Sequence, residues 1–166
     1  GDTTVPASGR LPSGGYYFDS IVRQGSLEDI QPSDNLEEFQ PLEDNDLDYY
    51  DKAVSDAANT GRSVVMVLPG AGLGDIALVP APFLKNPRGI RDIEEWYVST
   101  VTRPEYMHEV FDTQTQTAVK NFENVFARVG NTPDVAMVCG TDFGTQSSTF
   151  CSADTFRTLY MPYYKR

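Results

Sequence analysis

Two short apolar runs constrain this chain more than any other feature. Ser63 to Leu68 reads SVVMVL and Asp134 to Cys139 reads DVAMVC; Pro69-Gly70 closes the first and Gly140 the second. A continuously apolar, β-branched run, without the alternation of a half-solvated strand, reads as a strand buried on both faces of a parallel sheet. Between the runs lie two helical patterns. Ile90, Ile93, Trp96, Tyr97 and Val101 recur at helical spacing, and Met107, Val110, Phe111, Ala118, Phe122, Val125, Phe126 and Val129 do so again before Gly130. Thr102 with Glu105 has capping-box spacing and Pro104 falls in the first turn, so the longer helix is predicted to start there. Strand, helix, helix, strand is a βαβ crossover, and such crossovers are right-handed and lay helices over the sheet. The expected fold class is α/β with parallel strands.

Upstream, Tyr50, Ala53, Val54, Ala57 and Ala58 predict a helix over 48–60, ended by Gly61. The first 47 residues are rich in Gly, Pro, Ser and acids. Their extended candidate, Tyr16 to Val22, is bounded by Gly14-Gly15 and Gly25 and reads as a hairpin arm or an edge strand. Downstream, Ser152 is placed to cap a last helix carrying Phe156, Leu159 and Tyr160, with Pro162 as its stop. The expected organisation is an extended arm and acidic connector over 1–47, then an α/β unit over 48–166.

Composition narrows the partners. Lys and Arg total 13 against 24 Asp and Glu, a net charge of -11 that disfavours a nucleic-acid backbone or an anionic membrane. The stretch from Glu28 to Asp56 carries -10 of it, which reads as a solvated surface segment. No run approaches the ~18 apolar residues of a membrane span. Cys139 and Cys151 fit neither a disulfide scaffold nor a zinc pair, so a reducing, cytoplasmic setting is expected. The opening Gly1-Asp2-Thr3-Thr4 lacks an initiator Met and a signal pattern, and reads as the start of a processed chain or an internal segment.

In a parallel α/β sheet, ligands bind at the carboxyl ends of the strands. Two loops qualify. The first, Pro69 to Asp75, resembles a dinucleotide fingerprint but places Asp75 where a glycine belongs, and a carboxylate there repels a pyrophosphate. Its Gly70 and Gly72 either let backbone approach a ligand or are ordinary turn glycines. The second, Cys139 to Gln146, brings Thr141, Asp142 and Gln146 to a strand end. A carboxylate there is costly unless paired, metal-bound or facing a cleft, which makes Asp142 the catalytic candidate; the alternative is that it caps its own turn. Gln146 offers an amide to a polar substrate group. His108 is the only histidine, so a multi-histidine metal site is excluded within this chain, and no GxSxG elbow is present. Arg157, Lys165 and Arg166 make the end locally basic, either to attract carboxylates or as a solvated helix end.

The stretch Cys139 to Arg166, CGTDFGTQSSTFCSADTFRTLYMPYYKR, resembles the uroporphyrinogen decarboxylase superfamily, and within it the branch of corrinoid-linked methyltransferases. The shared pattern is a strand ending in Gly-x-Asp-x-Gly-x-Gln, a Ser-initiated helix and a Tyr-Lys-Arg exit. The arm at Gly14 to Asp19, the acidic connector and the turn at Gly70 to Gly74 follow in the same order. The resemblance implies a TIM barrel, of which 166 residues would be a middle portion, since a closed barrel typically takes ~250. It implies a pocket at the strand ends with Asp142 as the polar site residue, Gln146 and Thr141 beside it, and Gly70 and Gly72 in the lining turn. The substrate implied is a tetrapyrrole or a methylated small molecule. No cofactor is expected within this chain. The family's zinc would be held by a His-x-Cys motif and a later Cys expected beyond Arg166, and its methyl group would pass to a corrinoid protein as partner. The alternatives are a true uroporphyrinogen decarboxylase and a non-catalytic binding or assembly module. Unpaired edges of a partial barrel would favour self-association.

Overall fold

The structure, a computed structural model, describes residues 4–166. Residues 1–3, on which the reading of the chain's start rests, lie outside the described residues. In chain order the elements are β1 (Gly9–Arg10), β2 (Asp19–Ser20), a 3-10 turn (Pro32–Asn35), α1 (Asp44–Ala58) and β3 (Val65–Val67). There follow α2 (Ile93–Thr102), α3 (Pro104–Val129) and β4 (Val135–Met137). A C-terminal helical segment closes the chain: α4 (Ala153–Thr155), a π turn (Phe156–Tyr160) and α5 (Met161–Tyr164).

The two apolar runs do pair in parallel, with Val65 opposite Val135 and Val67 opposite Met137. The TIM-barrel expectation is corrected: the described residues form two sheets of two strands each, β1 with β2 antiparallel and β3 with β4 parallel. Burial on both strand faces is corrected too. Val64, Met66 and Leu68 pack with Leu47 and Val54 of α1 and with Val125 and Val129 of α3. Successive side chains alternate between faces, so Val65, at 62% exposure, and Val67 point away from both helices and stay exposed. A continuous apolar run cannot distinguish a strand covered twice from one covered once.

Local capping chemistry explains the remaining shifts. Thr102 does not cap α3; it is the last residue of α2, and its hydroxyl donates to Val98 O at 3.0 Å. Pro104 opens α3 and pushes Arg103 out of helical geometry, to φ -133° and ψ 54°. α1 starts ahead of the predicted Asp48 because Glu43 and Asp46 form a reciprocal capping pair, Glu43 N donating to Asp46 Oδ2 at 3.0 Å. Ser152 caps as predicted, accepting from Thr155 N at 3.0 Å. Pro162 does not stop the helix. Met161 N instead donates to Phe156 O five residues back, and this π register puts the residue without an N–H at the join. Only Asp19–Ser20 of the predicted extended stretch pairs with a strand, while Tyr16, Tyr17 and Phe18 are exposed.

The acidic connector is not simply a solvated segment. Arg91, 1% exposed, donates to Glu38 Oε1 at 2.7 Å and to Asp34 O at 2.6 Å, and Asp34 is itself buried beside Arg88. Asn35 exchanges two bonds of 2.8 Å with the backbone of Ile90. A guanidinium taken out of water must be paired, so the loop before α2 draws the connector inward. Among the described residues, no helix is long and apolar enough to cross a membrane.

Arg91→Ala is expected to lower the unfolding free energy by roughly 3–5 kcal/mol, because it strands buried acceptors. Arg128→Ala, which breaks the exposed pairs with Asp44 and Asp48, is expected to cost less than about 1 kcal/mol. Urea denaturation of both variants checks the contrast.

Candidate functional site

At the carboxyl ends of β3 and β4 the chain leaves a cavity of about 240 Å³. Small residues make it. Along α3 the buried stripe carries Met107, Val110 and Phe111 toward one core and Val125 and Val129 toward the other, with Thr115 and the small Ala118 between them beside the polar Gln114 and Asn121. Ala71 and Leu73 from the turn after β3 form one wall, Val138 after β4 and Phe122 another, and Tyr164 with Arg166 bring the C-terminal segment across.

The turn after β3 is held in place from α3. The Gln114 side chain, 2% exposed, donates from Nε2 to Gly70 O at 2.7 Å. Gly70 has φ +88° and Gly74 φ +63°, in the region that favours glycine. A Cβ on Gly74 would also lie 2.7 Å from Trp96 Nε1. That indole nitrogen is buried with no hydrogen-bond partner among the described residues, so the close approach itself sets the turn against α2.

Of the residues expected at the site, the structure brings together some and separates others. Gly70 adjoins the cavity wall at Ala71, with Ala118 3.5 Å from where its Cβ would be. Thr141 reaches the same end, its Oγ1 accepting from the Tyr164 hydroxyl at 3.2 Å. Gly72 instead lines a void of about 10 Å³ beside Arg91 and Trp96. The loop carrying Asp142 and Gln146 folds as a small hairpin, closed by Phe150 N donating to Phe143 O at 3.0 Å and Thr145 N to Ser148 O at 2.7 Å. Phe143 turns inward, edge-on to Phe156 and Tyr160 at centroid distances of 5.1 Å. The hairpin thereby turns its polar residues outward. Gln146 is exposed without a hydrogen-bond partner among the described residues, and Asp142 is exposed and lines neither the cavity nor the adjacent groove.

Sequence reasoning missed the side chains that shape the cavity: Thr115, Ala118, Phe122 and Tyr164. Ala118 carried a signal, as the smallest member of an otherwise bulky stripe. Arg166 was singled out only as part of a basic end; its guanidinium donates to Asp112 on α3 and joins the cavity lining. His108 takes part in seating this segment. The Tyr163 hydroxyl donates to His108 O at 3.0 Å and lies 2.8 Å from His108 Nδ1.

A separate groove of about 620 Å³ runs past Phe143, Cys151, Phe156 and Met161, with Arg157 at its edge paired to Asp154 at 2.8 Å. Among the described residues no three His, Cys, Asp or Glu side chains gather as a ligand set. Comparison with protein-family models, curated proteins and solved structures finds no match for this chain. The resemblance rests on the residues themselves.

Burial holds the tyrosines around this end neutral. It raises Tyr164 and Tyr160 above the usual tyrosine range and pushes Tyr97 up to about 12, with Cys151, Asp142 and Asp75 adding to the shift. In the unfolded chain these hydroxyls ionise near the ordinary value of 10.0. Stability is therefore full below pH 10 and falls as the pH rises toward 12. Thermal melts across that range are expected to show the decline, and Tyr97→Phe is expected to shallow it.

Proposed function

We propose that this chain holds a small methylated substrate for methyl transfer, in the manner of the corrinoid-linked branch of the uroporphyrinogen decarboxylase superfamily that its sequence resembles. One observation carries the reading. Two of the segments that carry the resemblance, the turn at Gly70 to Gly74 and, most specifically, the stretch from Cys139 to Arg166, close on one apolar cavity with α3 between them.

Size favours the smaller of the two substrate classes. Small-molecule sites usually enclose ~300–1,000 Å³, and about 240 Å³ falls below that range. A methylated molecule of a few carbon atoms fits; a tetrapyrrole does not. The larger groove offers a tetrapyrrole's several carboxylates only Arg157, already tied to Asp154, so the decarboxylase reading gains nothing from it. The module reading, with the acidic connector as a docking segment, loses Asp34 and Glu38 to the Arg91 and Arg88 pairs.

In this reading Ala71, Leu73 and Phe122 exclude water from the methyl-bearing end. The Thr115 hydroxyl and the Tyr164 oxygen orient the polar end, Tyr164 staying protonated with its proton on Thr141 Oγ1 and its oxygen left to accept. A corrinoid, which accepts a methyl group when present, is too large for the cavity and stays outside it on its partner protein. Asp142 has no part in holding the substrate. With Cys139 and Cys151 both free thiols, we place the activity in the reducing cytoplasm. Self-association through the exposed face of Val65, Val67 and Met137 belongs to the same reading, and size-exclusion chromatography tests it: a strict monomer removes it.

Calorimetric titration with methyl ethers, methyl thioethers, methylated amines and uroporphyrinogen tests the substrate class. At least one methylated class is expected to bind and uroporphyrinogen is not. Ala118→Phe, which fills the cavity, is expected to weaken binding by about tenfold or more, with circular dichroism verifying its fold. Thr115→Val, nearly isosteric, is expected to weaken it less. Absence of binding by every methylated class, or full binding by a folded Ala118→Phe chain, overturns the proposal.

A further inference from the structure

We propose that the cavity at the ends of β3 and β4 selects carboxylate-bearing ligands, with Arg166 as the residue that reads the charge; this rests on the binding reading above and adds the charge of the ligand to it. Among the described residues the lining holds no Asp or Glu, and Arg166 is the one charged residue in it. Every other wall is apolar or a hydroxyl, so a ligand that fills the space meets one formal charge, and it is positive.

The guanidinium is placed but not used up. Asp112 engages Nη1, and Nε and Nη2 have no hydrogen-bond partner among the described residues. A guanidinium presents its donors as a rigid fork that matches the two oxygens of a carboxylate. Tying one arm to α3 lowers the entropy lost when the other donors engage a ligand. The side chain is 46% exposed, so it stays hydrated at the cavity's edge without the cost of a buried ion, and a carboxylate pairing with it keeps part of its own hydration.

The chain's net charge of -11 does not cancel this. Of that charge, -10 falls between Glu28 and Asp56, and no residue of that stretch lines the cavity. At the cavity the local balance is Lys165 and Arg166 against Asp112. The ligand class that matches is a monocarboxylate with a compact apolar body, the carboxylate at Arg166 and the body against Leu73, Ala118 and Phe122.

Calorimetric titration with isocaproate and its uncharged isostere isocaproamide tests the assignment. The acid is expected to bind the unaltered chain roughly tenfold or more tighter than the amide, and less so as salt is raised. Arg166→Gln is expected to bring the ratio to near one, Arg166→Lys to keep part of it, and Lys165→Gln to leave it unchanged. Ala118→Phe is expected to weaken acid and amide together. Equal affinity of the unaltered chain for acid and amide overturns the charge preference. So does binding of neither compound when methylated amines or ethers bind normally, and both results leave the methylated-substrate reading standing. A preference that survives Arg166→Gln and disappears in Lys165→Gln removes Arg166 as its source. Failure of the methylated panel, with acid and amide still sensitive to Ala118→Phe, removes methyl transfer and leaves the carboxylate site.

Discussion

Burial of one stripe of α3 is the constraint from which the rest of the structure follows. A 26-residue helix has little stability of its own in water and needs an apolar face packed against something else. Its N-terminal half packs Met107, Val110 and Phe111 with Ile90, Trp96, Leu159 and Tyr160. Its C-terminal half packs Val125 and Val129 with α1 and β3. The helix is thus common to two cores that do not otherwise merge. The residues between its halves perform different work: Gln114 holds the turn after β3 through Gly70 O, and Asn121 holds the entry to α1 through Leu42 N and Gln40 O.

The cavity is a consequence of that division. Where the stripe changes from one core to the other it carries Thr115 and Ala118, too small to fill the space beside the strand ends. The C-terminal segment then closes the gap through Tyr163 on His108, Tyr164 on Thr141 and Arg166 on Asp112. Polar contacts at the edge and apolar walls within give an enclosure with few polar groups, each able to fix a ligand's orientation.

Much of this was legible beforehand. The periodicity of α3, the parallel pairing of the two apolar runs and the Ser152 cap all depend on residues close in sequence or on a chirality rule that every βαβ unit obeys. A cavity does lie at the carboxyl ends of the strands, where the candidate residues were sought. Asp142 was the natural candidate there, but a hairpin of backbone hydrogen bonds turns it to solvent while Phe143 takes the inward position. That choice is made by three aromatic rings meeting, two of them contributed by Phe156 and Tyr160 from a helical turn with a π register, which no spacing rule anticipates.

Taken alone, the amino-acid order determined which stretches become helix or strand and that the two runs lie side by side in one direction, because these follow from local propensity, spacing and handedness. Only the tertiary structure decided which strand face is covered, which acids turn inward and where an empty space is left. Those outcomes depend on side chains distant in the chain: Arg91 with Glu38, Gln114 with Gly70, Tyr164 with Thr141. An unpaired buried charge or an unfilled volume has its cost only once the partners have met in space.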